Sequence, residues 1–162
     1  MKAKAIPVLA LVAAAFFVLG RTTVGTTTQL KQKTLDDLST AMHGEAFAYA
    51  KYLLYAQHAR HSGNTGLAAL FQKTANIERF QHFAEEAQLA RLVGSDTENL
   101  KDAIKGESYE VETMYADFAR QAVAAGDKAA ADRFEEVRKD EMAHRDAFQA
   151  ALRTLEPKLN GN

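Results

Sequence analysis

The 162-residue chain has no cysteine. Disulfides, thiolate metal sites, iron–sulfur clusters and cysteine nucleophiles are therefore excluded together. Any metal must be held by carboxylates, imidazoles and water, a donor set that suits iron or manganese and tolerates zinc. An excess of one charge is missing as well. The formal net charge is −1 with both signs mixed along the chain, which argues against a nucleic-acid-binding surface. No stretch alternates with period two for long enough to predict a strand. Disorder does not fit either, because 47% of residues are hydrophobic and 25% charged, ordinary values for a globular protein. The length suits one domain able to bury a sizeable core.

The first residues form a separate object. Lys2 and Lys4 precede an apolar run from Ile6 to Leu19, broken only by Pro7 and followed by Gly20 and Arg21. That run is short for a membrane span and typical of a signal-peptide core. Residues 1–21 are expected to be a signal peptide, with an uncleaved anchor through residues 6–19 as the rival, so the protein is expected to be exported or membrane-anchored. A periplasmic location follows if the source is bacterial. The Thr-rich residues 22–33 predict a flexible linker, residues 34–157 the folded domain and residues 158–162 a tail.

Four helices are predicted. Thr34 is placed to cap the first, over about residues 35–60, with Asp36 and Asp37 in the turn where the helix dipole favours acids. Its apolar stripe, Leu38, Met42, Tyr49 and Tyr52, is interrupted by Glu45. The second helix, about residues 65–93 with Gly94 as a left-handed cap, has the stripe Leu67, Phe71, Thr74, Glu78, Gln81 and Glu85. The third, about residues 98–125, faces inward through Leu100, Ile104, Glu107, Val111, Met114 and Phe118, with Glu110 one turn beyond Glu107. The fourth follows Asp127 and is expected to end at Glu156-Pro157. Its stripe reads Phe134, Val137, Glu141, His144, Phe148, Ala151 and Leu155.

A carboxylate therefore stands mid-stripe on every helix, and His144 lies three residues beyond Glu141 on the same face. One inward glutamate alone is ordinarily paired with a Lys or Arg, or snorkels to water, and a lone histidine is ordinarily a hydrogen-bonded core residue. Four or five carboxylates brought together repel strongly unless protons or cations balance them, and two metal ions supply that balance. A Glu-x-x-His pair is also what a bundle helix contributes to a di-metal carboxylate site. The chain repeats itself, too: Gly44-Glu45 and Gly106-Glu107 open two halves, and the next inward glutamates, Glu78 and Glu141, follow after 33 and 34 residues. Two αα-hairpins packed face to face would place four glutamates around one pseudo-twofold axis. The fold class expected is all-α, a four-helix bundle of two αα-hairpin repeats.

The residues Gly44-Glu45, Thr74-Ala75-Asn76-Ile77-Glu78-Arg79, Gly106-Glu107-Ser108-Tyr109-Glu110, Glu112-Thr113-Met114-Tyr115 and Glu141-Met142-Ala143-His144 resemble the ferritin-like diiron domain of the rubrerythrin family. The resemblance covers about residues 35–155. It implies that Glu45, Glu78, Glu107, Glu110, Glu141 and His144 are ligands of two iron ions, and that Tyr52 and Tyr115 lie beside the cluster. It also implies peroxide reduction and a homodimer. Two departures matter. The family's first Glu-x-x-His needs histidine at position 81, but the chain has Gln81 followed by His82. Either His82 reaches a metal through a bulge in the helix, or Gln81 or water takes that place; the regular helix favours Gln81 near the metal without strong ligation. The family's cysteine-ligated rubredoxin-like module also has no counterpart in these residues, so electrons would come from a separate donor. Ferrous iron binding and oxidation without peroxide turnover, and a non-redox metal-binding bundle, are the alternative functions.

Overall fold

The computed structural model describes residues 29–159, with side chains through residue 155, and the export segment lies outside them. Four long helices and no strand occur among the described residues. α1 is Gln32–His61. α2 spans residues 65–90, with α-helical Thr65–Ile77 and Ala84–Ala90 flanking a π-helical segment, Glu78–Phe83. α3 spans residues 96–125 and is built alike, its π segment Glu110–Met114 lying between Asp96–Tyr109 and Tyr115–Ala125. α4 is Lys128–Leu159.

Three boundaries differ from those expected. α1 starts at Gln32 with Lys31 at its cap, so Thr34 is already inside the helix. Pairs one turn apart, Gln32 with Asp36 and Lys33 with Asp37, hold the added turn. α4 runs on to Leu159, so Pro157 lies within its last turn instead of ending it. α2 stops at Ala90, and its left-handed cap is Arg91 (φ 52°), not Gly94. The Leu92 N–H donates to the Ala87 carbonyl at 2.9 Å, closing the six-residue ring of a Schellman cap around a residue that has a Cβ. That strain is relievable. Arg91→Gly is expected to raise stability by about 0.5–1 kcal/mol, read as a higher urea midpoint with an unchanged slope.

Packing is confined to each hairpin. α1 lies along α2, and α3 along α4, while no helix of the first hairpin brings a Cα within 8 Å of a helix of the second. The face-to-face packing of the two hairpins is therefore not made within the described chain. Inside each hairpin the close contact is made by small side chains. Ala56, Ala59, Ala68 and Ala75 are buried in the first, and Ala119, Ala122 and Ala131 in the second, joined only by Met42 and Val111. Ala56, Ala59 and Ala68 recur 63 residues later as Ala119, Ala122 and Ala131, so the duplication extends to the helix–helix contact. No large side chain is completely buried among the described residues.

Above the alanine seam each hairpin holds three aromatic rings. Tyr52 and Tyr55 pack on Phe71, with centroids 6.0 and 5.3 Å away. Tyr115 and Phe118 pack on Phe134 at 6.3 and 5.6 Å. These trios are again 63 residues apart, position by position.

Candidate metal centre

About two turns beyond each aromatic trio lies a group of two carboxylates and an imidazole. Glu45 from α1 joins Glu78 and His82 from α2, and Glu107 from α3 joins Glu141 and His144 from α4. In each group one donor atom per residue lies within 4.8 Å of the others. His82 Nδ1 is 2.8 Å from Glu78 Oε2 and 3.7 Å from Glu45 Oε2. His144 Nδ1 is 2.7 Å from Glu141 Oε2.

The π segment of α2 explains how His82 arrives. A π turn closes i→i+5 bonds and so accommodates one residue more than an α turn. Glu78 and His82 are four apart in the π segment, whereas Glu141 and His144 are three apart in regular helix. The expectation that Gln81 faces the site is corrected. Gln81 is exposed and lines a surface groove with Gln72 and Asn76. The shift carries on down the helix, where Glu86 turns inward and the expected Glu85 is exposed.

The duplication records both insertions. Tyr52 and Tyr115, Phe71 and Phe134, and Glu78 and Glu141 are all 63 residues apart, but Glu45 and Glu107, and His82 and His144, are 62 apart. The spacing changes between residues 107 and 115 and between 78 and 82, where the two π segments lie. Glu86 is the site-facing acid that the stripe at regular spacing misses. The available signal was this slip in the repeat.

Acid repulsion is visible in the carboxyls. Burial, then the adjacent Glu78 carboxyl, holds Glu45 above the usual carboxylate range. Burial and Glu141 do the same to Glu107, with Glu110 adding to it. Glu107 Oε2 and Glu86 Oε2 are buried with no hydrogen-bond partner. Unpartnered buried carboxylate oxygens are costly, and cations are the direct remedy. Hard oxygen and imidazole donors without sulfur fit iron or manganese.

Glu110 opens the π segment of α3 and is half-buried, outside the three-residue group. Tyr115 lies beside that group: burial, then the charges of Glu110 and Glu141, raises its phenol above the usual value and keeps it protonated. Tyr52 occupies the equivalent place in the first aromatic trio.

Cations brace the surroundings. Arg79 Nη1 donates to Tyr49 Oη at 3.0 Å and its guanidinium stacks on Tyr49 and Phe80, tying α2 to α1. Arg138 Nε donates to the Val111 carbonyl at 2.7 Å, inside the π segment of α3. It stands where the repeat has Ala75 in the first half. Arg138→Leu removes a charged hydrogen bond to the carbonyl of a buried residue and is expected to cost about 1–2 kcal/mol, checked by urea denaturation at fixed protein concentration.

Comparison with known proteins gives a consistent result. The rubrerythrin family model matches residues 76–152. A rubrerythrin of Porphyromonas gingivalis is 33% identical over 136 residues, which is 76% of this chain and 68% of that protein. A nigerythrin of Nitratidesulfovibrio vulgaris is 31% identical, over 76% of this chain and 67% of its own. A putative rubrerythrin of Methanocaldococcus jannaschii is 29% identical, over 77% and 72%.

Proposed function

The chain belongs to the rubrerythrin family, and from that membership we propose that it is a non-haem diiron oxidoreductase that reduces hydrogen peroxide with electrons from a separate donor. The observation behind the reading is the pair of carboxylate–histidine groups, one per hairpin. In the proposal Glu45, Glu78 and His82 from one half, and Glu107, Glu141 and His144 from the other, hold the two irons, with Glu110 as a further carboxylate. Iron bound there would supply the two electrons that converting peroxide to water requires.

The protein residues do the rest. Paired glutamates offset the metal charge and offer oxygens on both sides of the site. His82 and His144 each offer an imidazole nitrogen beside the carboxylates, with Nδ1 2.8 Å from Glu78 Oε2 and 2.7 Å from Glu141 Oε2. Tyr115, kept protonated beside three carboxylates, has an O–H to donate to an oxygen atom in the site. The rings of Phe118 and Phe134 against it limit water on that side.

His82 also bears on the alternatives. A first half without a histidine would have favoured a non-redox metal bundle; the π segment instead gives both halves the same donor types. The N-terminal apolar run behind Lys2 and Lys4 supports export or membrane anchoring as part of the same proposal.

Stopped-flow mixing tests the reaction. The diferrous protein is expected to be oxidised by peroxide at least about tenfold faster than by an equal concentration of dioxygen, a difference of about 1.4 kcal/mol in barrier. Equal or slower oxidation by peroxide would remove the peroxidase assignment in favour of ferrous iron handling.

A further inference from the structure

Each hairpin ends in half a site, and the chain holds the halves apart. No helix of one hairpin approaches a helix of the other. The connection between them is residues 91–95, fixed at both ends. Upstream, Arg91 and the Leu92–Ala87 bond close α2. Downstream, the Gly94 N–H donates to Asn99 Oδ1 at 2.8 Å and Asn99 Nδ2 donates back to the Gly94 carbonyl at 3.1 Å. Ser95 and Glu98 form a reciprocal capping box, with the Ser95 N–H donating to Glu98 Oε2 at 2.8 Å. These bonds brace the connection in the arrangement that keeps α3 clear of α2.

The site face of each hairpin is left open. The imidazoles of His82 and His144 are 51% and 58% exposed although their carboxylate partners are largely covered. Phe47, Leu54 and Leu70 on the first hairpin, and Tyr109, Val123 and Met142 on the second, are exposed to solvent. The open donor groups and the uncovered apolar side chains occur in both halves alike.

We infer that the centre is completed between two copies of this chain, the first hairpin of each closing on the second hairpin of the other. The inference rests on the metal reading above and specifies where its ligands come from. A second copy is the occupant that fits, because it presents both missing halves at once. One twofold operation closes two four-helix bundles, completes two sites and leaves neither half unmatched. Each completed site takes Glu45, Glu78 and His82 from one chain and Glu107, Glu141 and His144 from its partner. The two iron ions of a site are then shared between chains, and an isolated chain holds no complete site.

Complementation of two inactive variants tests this. E45Q/E78Q breaks the first half-site and E141Q/H144Q the second, so each variant alone has no intact site. In a mixed dimer with exchanged hairpins, the unaltered first hairpin of one variant meets the unaltered second hairpin of the other and makes one complete site. Unfolding and refolding the full-length variants together makes half of the dimers mixed. Ferrous ion binding capacity should then recover to about one quarter of wild type, while each variant refolded alone stays near zero. Light scattering on the metal-free protein should give about 36 kDa, twice the 17.8 kDa chain, for wild type and for both variants. A monomeric or open-ended mass overturns the exchange whatever the metal result. A dimer that binds ferrous ions but shows no recovery on mixing also overturns it and leaves the metal reading standing. A wild-type dimer that binds no ferrous ion overturns the metal reading, and the shared site with it.

Discussion

Replacing His82 with alanine is expected to slow peroxide-driven oxidation of the diferrous protein by about a hundredfold or more, while Gln81→Ala stays within about twofold of wild type. Loss of a residue that merely orients a metal ligand costs about 10–100-fold in affinity or activity, and loss of the ligand itself belongs at or beyond that upper end. Position 82 is the sensitive one because the π segment Glu78–Phe83 brings it beside Glu78 and Glu45. Position 81 lies on the outer surface. Ferrous titration followed by stopped-flow separates the two possible causes of a slow rate. If His82 is a ligand, H82A loses affinity as well as speed. Equal losses in the two variants would mean that the helix, and not the histidine, sets the site.

The second large effect is on stability. Phe134→Ala is expected to cost about 2–3 kcal/mol, below the 3–5 kcal/mol typical of a fully buried phenylalanine because this ring is half-buried. Phe134 touches Tyr115 and Phe118, so its removal opens the aromatic trio directly above Glu141 and Glu107. Phe118, already 39% exposed at the edge of that trio, should cost less when truncated. The comparison is made by urea denaturation at one fixed protein concentration, since the stability of an associated chain depends on concentration. A larger loss for Phe118 would contradict the placement of Phe134 at the centre.

Much of this architecture is legible in the sequence because the helical stripes and their inward acids recur at nearly constant spacing. Glu45, Glu78, Glu107 and Glu141 all stand on stripes that the 3.6-residue period exposes, and the structure groups each with its hairpin neighbour. The same period misplaces what lies beyond a π turn. Counting at regular spacing from Glu78 leads to Gln81 and Glu85, whereas the extra residue brings His82 beside Glu78 and Glu45 and turns Glu86 inward. The one-residue slip in the repeat marks both π segments, but it acquires that meaning only once the helices are seen to widen there.

The relation between the hairpins is the other part not legible beforehand. Helical stripes show which faces seek burial, not whose surface covers them. Gly94 looks like a helix terminator, yet the chain turns left-handed at Arg91 and uses Gly94 to seat the Asn99 side chain. A Cβ on Gly94 would lie 2.8 Å from Glu98 Oε2, so this glycine serves the capping box of α3. Local cap chemistry thus sets where α2 ends and α3 begins.

The central claim is that carboxylates and one histidine from each hairpin together hold two irons. Anomalous diffraction at the iron edge from crystals of the ferrous-loaded protein tests it most directly. The account predicts two iron peaks per site, about 3.5–4 Å apart, with His82 on one, His144 on the other and glutamates from all four helices around them. A single peak, or a pair that leaves His82 without a metal contact, would contradict it.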